Sequence, residues 1–224
     1  MRNSSIRWHL AKISTVAALT GSIAAATAGA AQADTTPSPA PPTDRSMATT
    51  MTPQIPVIVA GKRYSPQDFA RIAPTVHFFT VSADDLARGV MHGYTDKSDY
   101  DRAAAQMDRQ ANELRAQHTR VASTTVTYYE DIYYSGDRFT RGPYEPVADL
   151  RTLPAHCTII PPVCTANWND RISSLTTGAY NTRLFADIEF GGDQIVFPAY
   201  RNIGDLRLYG YGWNDRASSV TSPA

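Results

Sequence analysis

Several things are scarce in this 224-residue chain. Cysteine occurs twice, at Cys157 and Cys164, which is too few for a disulfide-framework protein. There is no excess charge: 21 Lys and Arg balance 21 Asp and Glu. Nothing therefore draws the chain to a phosphate backbone or an anionic lipid, and nucleic acid is not an expected partner. H-E-x-x-H, G-x-S-x-G, C-x-x-C and a glycine-rich phosphate loop are all absent. With them go the metalloprotease, hydrolase, thiol-redox and nucleotide-binding readings, and the chain is expected to be no enzyme. His156 beside Cys157 does not restore a catalytic thiol, because a disulfide explains that cysteine at less cost.

Only one long run is rich in small apolar residues. Arg2, Arg7 and Lys12 precede "ISTVAALTGSIAAATAGA", and Ala31-Gln32-Ala33 supplies a small-x-small cleavage site. Residues 1–33 read as a secretory signal peptide, so the protein is expected to be secreted, with no membrane attachment once the peptide is removed. An exported chain meets oxidising conditions, and a Cys157–Cys164 disulfide is the expectation. Closing so short a loop stabilises by about 2 to 3 kcal/mol in the chain-entropy model. A metal-binding pair is the poorer reading, since the spacing is wrong and no histidine pair with ligand spacing lies nearby.

Residues 34–55, rich in Pro, Thr and Ser, read as a disordered linker. Residues 56–119 read as a small α+β module in the order β-α-β-β-α. "PVIVAGKRY" is a strand and turn, and Ser65-Pro66-Gln67-Asp68 starts a helix with Ser65 as N-cap. "TVHFFTVSA" and "RGVMHGYTD" are strands joined by a polar loop. Ser98 caps a second helix reaching about Gln117, with Tyr100, Ala104, Met107, Ala111 and Leu114 on its apolar face. His77, His92 and His118 are scattered and read as structural or surface residues.

From about Thr125 the chain holds 15 of its 22 aromatic residues and no helical periodicity, an all-β signature. It also repeats itself. "YEDIYYSGDRF" at 129–139 aligns with "FADIEFGGDQI" at 185–195, "ADLR" at 148–151 with "GDLR" at 204–207, and "WNDRISSL" at 168–175 with "WNDRASSV" at 213–220. The first copy carries about 11 extra residues between its DLR and WND elements, and these include both cysteines. Each copy opens with aromatic-x4-aromatic-x-Gly, through Gly136 and Gly192, and closes with Asn-Asp-Arg-x-Ser-Ser.

These two motifs, in this order in both copies, resemble the βγ-crystallin superfamily over about residues 125–222, as Greek keys 125–176 and 181–222. The resemblance implies an all-β Greek-key sandwich with pseudo-twofold symmetry behind the small α+β module. It also implies two calcium sites, each shared between the hairpin of one copy and the polar loop of the other. Calcium takes six to eight oxygen ligands. Asp170 and Asp215 offer carboxylates, Ser173 and Ser218 hydroxyls, and Asn169 and Asn214 carbonyl oxygens or loop orientation. After the first hairpin aromatic stand Glu130 and Ala186, where the family uses a backbone carbonyl, so the two sites are expected to differ in affinity.

The first expectation is thus a secreted, non-enzymatic protein whose Ca2+ is structural. A second comes from the same resemblance, because some secreted bacterial members inhibit metalloproteinases. The insertion "CTIIPPVC" would then present Ile159 and Ile160 on a pre-organised loop to a secreted protease. Tyr209 and Tyr211 are candidates for stacking on sugars.

Overall fold

The computed structural model describes residues 53–117, 123–161, 163–209 and 212–223. The signal-peptide reading, nearly all of the linker, His118 and Tyr211 lie outside the described residues. In chain order the elements are β1 (Val57–Val59), β2 (Lys62–Tyr64), α1 (Pro66–Phe69), β3 (Phe78–Thr80), α2 (Ala83–Arg88), β4 (Met91–Tyr94) and α3 (Lys97–Gln117). The repeats follow as β5 (Val126–Tyr129), β6 (Arg138–Arg141), β7 (Pro154–Cys157), β8 (Cys164–Asn167), β9 (Ser174–Thr176), β10 (Thr182–Phe185), β11 (Gln194–Phe197), β12 (Asn202–Ile203) and β13 (Ser219–Thr221).

Residues 56–117 depart from the expected β-α-β-β-α order in two places. "PVIVAGKRY" is a complete hairpin, β1 against β2, turning at Ala60 and Gly61 with both φ positive. The stretch expected to be a polar loop between two strands is helix α2. Ser82 accepts from the Asp85 N–H, the Asp85 carboxylate accepts from the Ser82 N–H, and Gly89 ends the helix at φ 60°. This reciprocal capping box with its left-handed stop fixes a helix too short for apolar periodicity to reveal. Asp85 is almost fully buried. Burial pushes its carboxyl up, but hydrogen bonds from His92 and Ser82 outweigh that and hold it at about 2. Helix α1 starts at Ser65 as expected, whereas α3 starts two residues earlier than its Ser98 cap implied: the Asp96 carboxylate accepts from the Ser98 and Asp99 N–H groups. On α3, Tyr100, Ala104, Met107 and Ala111 are buried, while Leu114 is 39% exposed.

Three antiparallel pairings build the first Greek key's sheet, in the order β12-β9-β5-β6. Strand β12 comes from the second repeat, and Val147 of the first repeat in turn bridges Val220 of β13. Each repeat thus pairs with the other's sheet, the second through strand β12 and the first through the single bridge at Val147. The second sheet runs β13-β10-β11-β3-β4-β1-β2. Its join is a parallel pairing of β11 with β3, in the register Gln194↔Phe78, Ile195↔Phe79 and Val196↔Thr80. The α+β segment therefore extends a Greek-key sheet and shares its core: Val57, Phe69, Phe79 and Met91 belong to the same buried cluster as Tyr128, Ile195, Phe197 and Trp213. Helix α3 lies over the join, with Tyr100, Ala104 and Met107 packed around Val196. Its Asp108 accepts from Asn181 Nδ2 at 2.8 Å and pairs with Arg183.

Candidate functional site

The backbone repeats as closely as the sequence does. Left-handed φ values recur at Tyr133, Tyr134 and Gly136 and at Glu189, Phe190 and Gly192, and again at Asp170 and Asp215. A Cβ on Gly136 or Gly192 would come within 2.7 Å of the Asp131 or Asp187 carboxylate, so the motif glycine both takes positive φ and clears space for the folded-over hairpin. The aromatic pair of each motif meets edge to face, Tyr129 with Tyr134 at 5.6 Å and Phe185 with Phe190 at 5.4 Å.

The second serine of each loop locks that hairpin. Ser174 Oγ donates to the Asp131 carbonyl at 2.6 Å and accepts from the Tyr134 N–H at 3.0 Å. Ser219 Oγ does the same with Asp187 and Phe190, at 2.7 and 3.1 Å. Their role is structural, and it explains why each loop ends in two serines. The turns at Asp149-Leu150-Arg151 and Asp205-Leu206-Arg207 are also equivalent: each aspartate caps a 3-10 turn and holds its arginine through paired hydrogen bonds. That salt link holds both aspartate carboxyls below their ordinary value.

Between repeats the bonds are exchanged. The Asp170 N–H donates to the Ala217 carbonyl and the Asp215 N–H to the Ile172 carbonyl, each at 3.1 Å. Leu150 donates to Ser218 and Leu206 to Ser173; Tyr133 donates to Gly204 and Glu189 to Ala148. A repeated hairpin, segments exchanged in both directions and reciprocal loop bonds on a pseudo-twofold axis decide the architecture. Residues 125–222 have the βγ-crystallin fold.

Comparison with solved structures finds βγ-crystallin domains similar to part of this chain. A domain described under "Evolution of the eye lens beta-gamma-crystallin domain fold" is 23% identical, over 46% of this chain and 87% of its own, with a TM-score of 0.36. A βγ-crystallin from Ciona intestinalis is 20% identical over 44% and 98% of the two chains, with a TM-score of 0.33. Spherulin 3a from Physarum polycephalum is 22% identical over 47% and 87%, with a TM-score of 0.34. No family model matches the chain, and no curated protein does.

The crossed loops bring five of the expected site residues to one open cleft: Glu130, Asn169, Asp170, Ser173 and Asp215 line it together. Ser173 of the first βγ-crystallin repeat donates to Asp215 Oδ1 of the second at 3.0 Å. Partial burial pushes the Asp215 carboxyl above its ordinary value; the Ser173 hydrogen bond opposes this, and the negative Glu130 pushes it further up. Asn214, Ser218 and Ala186 do not line this cleft. They stand at the equivalent place in the other half, where Asp170 is bonded to Ala217 next to Ser218, and the Ala186 N–H donates to the Asp193 carbonyl as that of Glu130 does to Asp137. Asn169 and Asn214 each donate through Nδ2 to the following aspartate at 2.6 Å, and the Oδ1 of each is buried without a partner.

This donor set fits a hard dication. It offers oxygens alone, its carboxyl groups repel one another, and each loop buries an unmatched amide oxygen. The Glu130 carboxylate, however, faces elsewhere. It accepts from His156 Nε2 at 2.7 and 2.8 Å and pairs with Arg171. Burial raises its carboxyl, and those two bonds outweigh burial and lower it.

Cys157 and Cys164 form the expected disulfide, closing the hairpin of β7 and β8. At its tip Ile159 and Ile160 are 88% and 90% exposed. Tyr209 is buried edge-on against Phe197 at 5.0 Å, so it belongs to the core and offers no sugar platform. His77 donates from β3's leading edge to Asp193 at 2.8 Å, a structural contact between the α+β segment and the second repeat. No helix among the described residues is long and apolar enough to cross a membrane.

Proposed function

We propose that this is a secreted calcium-binding protein whose metal stabilises the βγ-crystallin fold and which carries out no catalysis. One site takes Ser173, Asp215 and the main chain at Glu130; the other takes Ser218, Asp170 and the main chain at Ala186, with Asn169 and Asn214 orienting the aspartates. The observation that carries this reading is the Ser173–Asp215 contact, a hydroxyl and a carboxylate from different repeats facing each other beside further negative charge. Secretion rests on the N-terminal run with its cleavage site and on the disulfide. The test is thermal unfolding of the protein in chelator and then in about millimolar calcium, the weak end of extracellular site affinities. A higher midpoint in calcium is expected, and an unchanged one overturns the reading.

One observation favours a second reading, inhibition of a metalloproteinase by the disulfide-closed hairpin. Two adjacent isoleucines more than four-fifths exposed on a stapled turn are unusual for a surface. Replacing Ile159 and Ile160 by Ala is then expected to abolish inhibition of a thermolysin-like protease while leaving the unfolding midpoint within about 0.5 kcal/mol equivalent of the parent. Lack of inhibition by the unmutated protein rules this reading out for that enzyme.

A further inference from the structure

The two repeats differ most where Glu130, Asp137 and His156 converge. One ligand atom from each lies within 4.8 Å of the others. None of the trio is complete in the second repeat: Ala186 stands for Glu130, the insertion carrying His156 has no counterpart, and Asp193, the counterpart of Asp137, is engaged by His77 and Arg216. The second repeat is thus an internal comparison in which the same backbone lacks the cluster.

Each member is held in place by a different element. Glu130 follows β5, and its N–H donates to the Asp137 carbonyl across the hairpin. Asp137 Oδ2 accepts from the His156 N–H at 2.9 Å, a bond that pins the β7–β8 hairpin beside its disulfide. His156 adopts φ 53°, which turns its ring back over the first repeat so that Nε2 meets both Glu130 oxygens. The disulfide begins at the next residue and limits how far that strand end can move.

An imidazole nitrogen with two carboxylates is the donor set of zinc-type ions, whereas calcium prefers oxygen alone. Bonds of about 2.0 to 2.1 Å to such an ion would take the place of the hydrogen bond now joining His156 Nε2 to Glu130, the Nε2 proton passing to Nδ1 of a neutral ring or to solvent from an imidazolium. Asp137 keeps its bond to the His156 N–H, since each carboxylate oxygen has two lone pairs. Arg171, paired with the same Glu130 carboxylate, is the built-in competitor.

We propose that Glu130, Asp137 and His156 form a site for a divalent transition ion of the zinc class, which fastens the disulfide-closed hairpin to the first Greek key. The site is separate from the calcium sites, because it uses the Glu130 side chain and neither Ser173 nor Asp215.

The experiment is calorimetric titration of the protein with Zn2+ in saturating calcium. One ion per chain is expected. His156→Asn, chosen because asparagine tolerates positive φ, is expected to weaken binding at least ~10-fold, judged against the 10- to 100-fold losses that even outer-shell changes cause. Glu130→Ala, which copies the residue the second repeat already carries, is expected to do the same should the first variant fold poorly. Arg171→Ala is expected to tighten binding by removing the competing cation. The proposal is overturned by an absence of Zn2+ binding up to millimolar concentration, by unchanged affinity in both His156→Asn and Glu130→Ala, or by loss of zinc binding in Asp215→Asn, which would place the ion in a calcium site. A calcium response retained in His156→Asn keeps the two readings apart.

Discussion

Phe79→Ala is expected to cost about 3 to 5 kcal/mol of unfolding free energy and to lower the midpoint read from Trp168 and Trp213 fluorescence, although Phe79 lies in neither repeat. The residue is fully buried on β3, edge-on to Phe69, and opposite Ile195 of β11. Its cavity would open within the cluster that also contains Trp213. Trp168 and Trp213 sit in the Greek keys, so tryptophan fluorescence of the protein without residues 1–33, which carry Trp8, reports on that half of the chain. If residues 53–117 were a separate module, the substitution would unfold that module alone and leave the tryptophan transition where it was. The same continuity means that removing residues 53–117 would strip β11 of its edge partner and uncover Val196, leaving an open strand able to pair with other chains.

Asp215→Asn is expected to act in opposite directions with and without calcium. At a calcium concentration a hundred times Kd, one occupied site stabilises the folded state by about 2.7 kcal/mol, and the variant loses this. In chelator the sign reverses. A carboxyl whose folded pKa lies above its unfolded value favours folding while protonated, and that advantage disappears as pH rises from the unfolded value through the folded one. Without calcium the contribution of the Asp215 carboxyl is therefore expected to fall as pH rises from about 4 toward neutrality, so that the stability difference between the two proteins moves in favour of Asp215→Asn. The group is partly solvated, so screening keeps the chelator effect small. Urea unfolding of both proteins at pH 4 and pH 7, with and without calcium, reads all four quantities. Equal destabilisation under every condition would make the Asp215 carboxylate a structural group.

The Greek keys were legible in the sequence because their chemistry is local and stringent. Gly136 and Gly192 must take positive φ, Ser174 and Ser219 must bond two points of a hairpin turn at once, and Asp149 and Asp205 must cap their turns. Few residue types meet such demands, so the pattern shows twice in one chain. Helix α2 was missed because six residues show no apolar period, although its Ser82–Asp85 capping box and Gly89 were there to read. The parallel pairing of β3 with β11 left no local trace. Phe78 and Gln194 lie far apart in sequence, and β3 shows the same apolar residues an independent sheet would use. The Glu130–His156 contact escaped for the same reason: ligand spacing along the chain does not reveal a pair that the insertion brings together in space.

Calcium titration of the protein and of Asp170→Asn and Asp215→Asn, counted by isothermal calorimetry, tests the shared-site account most directly. Because each aspartate is bonded across to the other repeat, the parent is expected to bind two ions of unequal affinity, and each variant to lose a different one. A parent that binds no calcium, or variants that both retain two ions, would contradict the account.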